Sequence, residues 1–391
     1  MSLDLDKSAW NRVAFGDVIT SITDRVDNPS EAGVERYVGL EHLDPGAMTV
    51  QRWDRPEKVE AQKLRFQPGD VIFGRRRAYQ KKVARADFGG ICSAHALVLR
   101  VKPDQVHPDF LPVFLSSDYF LDRAITISVG SLSPTVNWRD LNVQEFDLPP
   151  LDEQERIADL LWAVERHRLS VKQTRNCAHA LLGQVTRQRM STMPTGIRLG
   201  DITTTRSGPS FAAHDVHKHK VPESVPVLGI PNTKPNGTID LNGVGYVSGL
   251  AASVGKIDES SLVLIRTNGN KQRIGNVYLL PAQAVGHAVS AFQFLMQSNS
   301  PADREYLFWV LSEPSMQEQM SEAASGTVGL GNLAVRWLNE RQIPWSPDVA
   351  ERQVVVDELR SLAAAVTRID CEEDALEVFQ TAASAEIFGG D

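Results

Sequence analysis

The sequence predicts an α+β protein written twice, each mixed domain being followed by one long helix. Three observations carry that expectation. Short framework strings recur in the same order in both halves, two apolar seams of heptad spacing each follow a proline stop, and brief β-branched runs lie between turn signals. Phe15-Gly16-Asp17-Val18-Ile19 returns as Leu199-Gly200-Asp201-Ile202-Thr203, and Tyr37-Val38-Gly39-Leu40 as Val227-Leu228-Gly229-Ile230. Val71-Ile72-Phe73-Gly74-Arg75 returns as Leu262-Val263-Leu264-Ile265-Arg266. Val129-Gly130-Ser131 returns as Ser325-Gly326-Thr327, and Leu148-Pro149 as Ile343-Pro344. Each match is weak alone. Five in one order, at offsets between 184 and 196, mark a duplication with small insertions.

Within each half, Asp70–Phe73, Ala96–Arg100, Ser261–Ile265 and Ser290–Leu295 read as strands. Phe110–Ser116 and Arg304–Ser312 read as helices that close each domain. Asp152-x-x-Glu155 follows Pro149-Pro150, and Asp348-x-x-Glu351 follows Pro347; both have the spacing of a capping box. Behind the first, the three-four alternation runs through Ile157, Leu160, Val164, His167, Val171, Thr174, Ala178, Leu181, Val185 and Gln188. Behind the second it runs through Val355, Leu359, Leu362, Val366, Ile369, Glu373, Leu376, Gln380, Ala383 and Ile387. Two seams of about forty residues, about 58 Å each, predict two long helices packed as a coiled coil. The expected division is 1–150 and 194–345 for the two domains, with 151–193 and 346–391 for the helices, related by a pseudo-two-fold.

Composition is that of a globular chain: 391 residues, 42% hydrophobic and 23% charged. No run approaches the ~18 apolar residues of a membrane helix. The start lacks the basic-then-apolar layout of a signal peptide, and the three cysteines are scattered, so a reduced cytoplasm is expected, with no membrane partner. Net charge is −8, yet residues 346–391 alone hold 3 basic and 11 acidic side chains. Both domains are close to neutral, so any nucleic-acid face must come from local clustering.

Catalytic motifs are missing. Asp147-Leu-Pro-Pro-Leu151 lacks the aromatic that a base-gripping methyltransferase loop needs. Gly249-Leu-Ala-Ala-Ser-Val-Gly255-Lys256-Ile257 has the wrong spacing for a phosphate loop and no hydroxyl after its lysine. His214, His217 and His219 lie in a polar stretch without cysteine and read as a solvated loop rather than a metal site. No catalytic residue, metal or cofactor is therefore assigned to this chain. The strongest polar signal is Arg75-Arg76-Arg77-Ala78-Tyr79-Gln80-Lys81-Lys82-Val83-Ala84-Arg85, with six cations and no acid. Guanidinium and ammonium groups grip phosphates, and Arg or Gln pairs with base edges. The matching stretch of the second half, Arg266 to Arg273, is again basic and rich in amides through Asn268, Asn270, Lys271 and Gln272. Small donors recur as well, at Ser131, Thr135 and Asn137 and at Thr327 and Asn332. All of these are candidate DNA contacts.

Residues 69–75, Cys92-Ser93, Ser133-Pro-Thr-Val-Asn-Trp138 and Leu148-Pro-Pro-Leu-Asp-Glu-Gln-Glu-Arg-Ile157 resemble specificity subunits of type I restriction–modification systems. The resemblance spans essentially the whole chain, and the last string is its most specific part. It implies two target-recognition domains, each reading half of a bipartite double-stranded DNA site, with two antiparallel spacer helices between them. It implies docking of two methyltransferase subunits through Leu151, Glu153, Gln154, Ile157, Glu351 and Val355, and of motor–nuclease subunits where cleavage occurs. S-adenosylmethionine would then sit on the methyltransferase, and ATP and Mg on the motor–nuclease. The second half departs from the pattern: Pro347-Asp-Val-Ala-Glu-Arg-Gln-Val354 lacks the Glu-Gln pair in its usual place. A self-contained DNA methyltransferase or nuclease, and a helical scaffold that binds no DNA, are the competing readings. The missing motifs oppose the first and the basic runs oppose the second.

Overall fold

The computed structural model describes residues 7–102, 104–325 and 330–389. The chain forms two compact units: one runs to Thr174 and resumes at Ile369, and the other is Arg175–Arg368. Both boundaries fall inside long helices, Leu151–Thr192 and Val349–Phe388. Each unit therefore holds one globular half together with part of each long helix.

In the first unit a four-stranded antiparallel sheet has the order Ile19–Ile22, Leu97–Val101, Val71–Phe73, Val83–Arg85. The second unit repeats it as Thr203–Ser207, Gln293–Ser298, Ser261–Ile265, Val277–Leu279. The central strands are buried on both faces, which is why they read as unbroken apolar runs. Val71, Phe73, Leu97 and Leu99 face a core built with helix Phe110–Ser116, while Ile72 and Val98 face a second core under the other sheet. Leu262, Leu264, Phe294 and Met296 against Val263 and Leu295 divide in the same way. Alternate side chains along one strand thus serve two cores. Burying each large apolar side chain contributes about 1.5–3 kcal/mol.

The outer sheets diverge. Tyr37–Val38 pairs parallel to Gly90–Ser93, and Val225–Leu228 pairs parallel to Ala288–Val289, as a duplication requires. Their antiparallel neighbours then differ. Lys63–Phe66 joins Gly90–Ser93 in the first unit, whereas Gly245–Val247 joins Val225–Leu228 in the second. A short ladder ties the start of each globular half to its end: Asn11–Ala14 with Glu145–Leu148, and Thr195–Arg198 with Gln342–Pro344.

The domain-closing helices occur where expected, at Phe110–Ser116 and Arg304–Ser312. The seam expected on Val349–Phe388 is also the covered one: Val355, Leu359, Val366, Ala383 and Ile387 are buried and the others half-buried. On Leu151–Thr192 it is covered in part: Ile157, Val164, Val171, Ala178 and Val185 are buried or half-buried, whereas His167, Thr174 and Gln188 are exposed. Leu160 and Leu181 are exposed, and their neighbours Leu161 and Leu182 pack inward. Adjacent leucines leave the spacing ambiguous; Ala158 and Trp162, drawn into the first core, decide it. Within each unit the two helical segments run antiparallel. His167 meets Glu372 at 3.2 Å in one, and Arg189 meets Glu358 at 2.6 Å in the other.

The capping boxes are only partly realised. The first helix begins at Leu151, so Asp152 lies in its first turn rather than at the cap. In the second, the Asp348 carboxylate accepts the Ala350 N–H at 2.8 Å, while Glu351 turns to the Ser346 hydroxyl.

Candidate nucleic-acid interface

The basic run forms a hairpin. Strand Val71–Phe73 leaves through Gly74, a single 3₁₀ turn covers Ala78–Gln80, and the chain returns as Val83–Arg85. Arg77 and Lys81, on either side of the turn, both have left-handed backbone, with φ of 58° and 53°. A non-glycine residue adopts that conformation at a cost and concentrates at functional sites. Ala78 is the buried pivot, and Tyr79 is held outward at 52% exposure.

The hairpin and the Ser/Thr/Asn loop of the first half, far apart in sequence, are brought together. Arg77 N–H donates to Pro134 O at 2.7 Å, Val136 N–H donates to Arg75 O at 2.9 Å, and Arg76 bridges Thr135. The second unit repeats the arrangement. Thr267–Asn268 pairs with Gly331–Asn332, and Leu333 N–H donates to Arg266 O at 2.9 Å. The loop closes on itself similarly, Val129 bridging Thr135 and Ser325 bridging Asn332. Of this loop in the second unit, Thr327 lies outside the described residues.

Side chains of the two runs divide by role. Arg75 reaches Ala94 O at 3.5 Å and Arg266 reaches Ala291 O at 3.3 Å, so this repeated arginine pins a neighbouring loop. Arg266 also donates to Asn332 Oδ1 at 3.0 Å, which accepts from Thr267 as well. Arg273 turns inward to Thr233 O, Lys82 to Leu40 O at 2.6 Å, and Lys81 pairs with Asp118. Arg85 is bonded to Asp87 and Asp109 and lies 4.4 Å over the Trp162 ring, facing the helix. Asn137 bonds Asp140 at 3.1 Å, and Asn268 and Asn270 accept backbone N–H groups of their own turn. Arg76, Arg77, Tyr79 and Ser131 remain exposed in the first unit, with Gln80 half-exposed; Lys271 and Gln272 remain exposed in the second.

Two aromatic residues escape a reading based on charge runs. His95 follows the loop that Arg75 pins, and its pKa is held down by partial burial, then by Arg76, Arg75 and Lys63. Phe292 follows the loop that Arg266 pins, and is 50% exposed. The signal for Phe292 was present as an aromatic just before a buried strand, but nothing in the spacing separates it from core.

The residues expected to dock partners also divide. Leu151 is exposed, Glu153 half-exposed and Glu351 exposed. Gln154 is buried, accepting His107 N–H at 2.9 Å and donating to Pro149 O at 2.8 Å, and Ile157 and Val355 are core. Gln154 thus ties the first helix to its own domain. In the second helix buried Arg352 does this through Asp303 and Ser346 O, stacked 4.0 Å over Trp345. The missing Glu-Gln pair is replaced by an ionic tie. Among the described residues no three His, Cys, Asp or Glu side chains converge on a metal position, and no helix is long and apolar enough to cross a membrane.

Each half is an α+β unit that mounts a basic run against a Ser/Thr/Asn loop. Residues 8–177 match the family described as Type I restriction modification DNA specificity domain. A stretch of 150 residues is 26% identical to the EcoDI specificity subunit of Escherichia coli, covering 38% of this chain and 33% of that one. The match therefore spans about a third of that relative's length. A structure from work on assembly and conformational transition of the type I system aligns over 98% of both chains, with TM-score 0.60 and 19% identity. The type I S subunit of M. genitalium aligns over 100% of both, with TM-score 0.62 and 14% identity. At such identities these two alignments establish the fold.

Proposed function

We propose that this chain is the DNA-reading subunit of a type I restriction–modification complex and does no chemistry itself. Each globular half reads one half of a bipartite double-stranded site. The observation that carries the reading is the repeated backbone junction between a basic run and a Ser/Thr/Asn loop, formed by Arg76 with Thr135 and by Thr267 with Asn332. Two copies of one surface on one chain suit a split site, as two chains suit a palindrome.

Within each surface the exposed side chains carry the contact. Arg76 and Arg77 have the reach and geometry for guanine or phosphate, and Gln80 and Gln272 for adenine. Tyr79 and Phe292 offer apolar rings to a thymine methyl or a stacked base. The remaining members of the runs, from Arg75 and Arg266 to Asn332, hold the surface in shape. Partner methyltransferase subunits, carrying S-adenosylmethionine, would meet the helices through Leu151, Glu153 and Glu351. A motor–nuclease pair using ATP and Mg would join for cleavage. Such a complex works in the cytoplasm.

Replacing Arg76 and Arg77 by Ala tests the reading. If both grip phosphate, the slope of log affinity against log salt should fall by about two. If one reads guanine, preference at one position of one half-site should relax by about 1–3 kcal/mol. Unchanged affinity, slope and motif would refute it. The purified chain should transfer no methyl group to DNA without partners, and robust transfer would overturn the non-catalytic assignment.

A further inference from the structure

The reading of the basic hairpin as a DNA contact does not use Arg85, which turns to the long helix beside a buried carboxylate. Glu165, on the first long helix, is fully buried. A buried carboxylate is costly unless its acceptors are filled. Here Oε1 accepts the Met48 N–H at 3.1 Å and Oε2 accepts Arg168 Nε at 2.9 Å. Arg168 reaches on to Gly46 O at 3.2 Å. The helix thereby clamps segment 46–48.

That segment lies against the hairpin. Arg85 N–H donates to Met48 O at 2.8 Å, and Val50 N–H donates to Arg85 O at 2.9 Å. The Arg85 side chain then returns to the helix, lying over Trp162, whose Nε1–H donates to Asp109 O at 2.8 Å, while its guanidinium pairs with the Asp109 carboxylate. The returning strand of the hairpin is thus fastened to one helical face twice, by its backbone through Met48 and Glu165 and by its side chain through Trp162.

The second unit is fastened differently. Of its long-helix ion pairs, Arg352 with Asp303 and Arg360 with Glu305 reach the start of the domain-closing helix, and Arg187 with Glu313 reaches the cap of helix Pro314–Ala323. Strand Val277–Leu279 carries neither an acid nor a base with which to pair to either long helix.

We propose that Arg85 and Glu165 are positioning residues that lock the first hairpin to the spacer helix, so that the gap between half-sites is measured from this joint. The proposal rests on the hairpin reading above, and the two fail separately. Arg85 touches no DNA in this account. Its loss blurs the accepted spacing and leaves phosphate grip intact.

The experiment uses the chain assembled with its methyltransferase partners. The probes are duplexes carrying the motif that the wild-type complex methylates, with its gap native, shortened or lengthened by one base pair. Arg85→Met and Glu165→Gln should each lower the preference for the native gap by about tenfold, with the salt slope unchanged. Arg85→Lys, which keeps the ion pair, should restore most of it. The double variant should be no worse than either single one, since both act on one joint. A salt slope reduced by about one in Arg85→Met would make Arg85 a phosphate contact and overturn the proposal. So would gap preference unchanged in both single variants. Should Arg85→Met fail to fold, Trp162→Phe, which keeps a ring and loses only the bond to Asp109, carries the same test and must also blur the gap. An Arg76→Ala/Arg77→Ala control with affinity, salt slope and motif all unchanged would sink the hairpin reading, whatever the gap results show.

Discussion

The two units share an inner sheet strand for strand, yet each long helix is fastened to its domain by different chemistry. In the first unit the tie at the helix start is neutral: Gln154 spans from His107 N–H to Pro149 O. In the second it is ionic: Arg352, almost fully buried, is held by Asp303 and Ser346 O. Duplication preserved the need for a tie but not its residues. The same holds at the candidate nucleic-acid surface, where the junction of run and loop recurs while its exposed side chains change from Arg76, Arg77 and Tyr79 to Lys271, Gln272 and Phe292. What is conserved between the copies is backbone; what differs is what the backbone presents.

The two ties should fail by different amounts. Arg352→Met leaves Asp303 without its partner and should destabilise the second unit by about 3–5 kcal/mol. Gln154→Ala removes two hydrogen bonds and should cost the first unit about 1–3 kcal/mol. Chemical denaturation of each variant, followed by hydrogen exchange to assign the transition to a unit, checks the order. Equal losses would mean that the ion pair and the amide do equivalent work.

A smaller effect depends on pH. Burial alone would raise the pKa of Glu313; the Ser315 hydroxyl and N–H, the Met316 N–H and Arg187 outweigh it and hold the carboxyl below its ordinary value. Asp258 is likewise held down by Ser260, Ser261 and Gln297 against its burial. Both lie in the second unit. Their folded pKa values being lowered, their stabilisation is present above the unfolded pKa and fades as pH falls below about 4.5 for Glu313 and about 3.8 for Asp258. The second unit should lose stability through that window, and Glu313→Gln should flatten the fall. Glu313→Ala also removes the N-cap of helix Pro314–Ala323 and should cost about 1 kcal/mol at neutral pH. A pH profile identical in Glu313→Gln and wild type would contradict the assignment.

Much of this architecture was legible in the chain. The repeat, both long helices and the domain-closing helices follow from strings and spacing, because periodicity reports which face is covered. The seam of the second helix was legible residue by residue. The first was legible at Ile157, Val164, Val171, Ala178 and Val185 but not between them, since Leu160-Leu161 and Leu181-Leu182 satisfy the spacing in either register and Trp162 settles it only through a tertiary contact. The candidate surface was legible as two basic runs, but the division between inward and outward side chains was not. Charge patterning cannot tell that Arg85, Lys82 and Arg273 turn inward, nor that Gln154 is spent within its own domain. Glu165 carried no signal at all: an acid on a charged helix looks solvated until the fold buries it.

The central claim is that two independent readers sit on one chain, and it is tested most directly by exchanging residues 194–345 for the corresponding domain of a relative with a different target. The methylated motif is then mapped genome-wide in cells carrying the hybrid with its partner subunits. The account predicts that one half of the motif is replaced, while the other half and the gap stay as in the wild type. A hybrid that folds and methylates but alters both halves would contradict it.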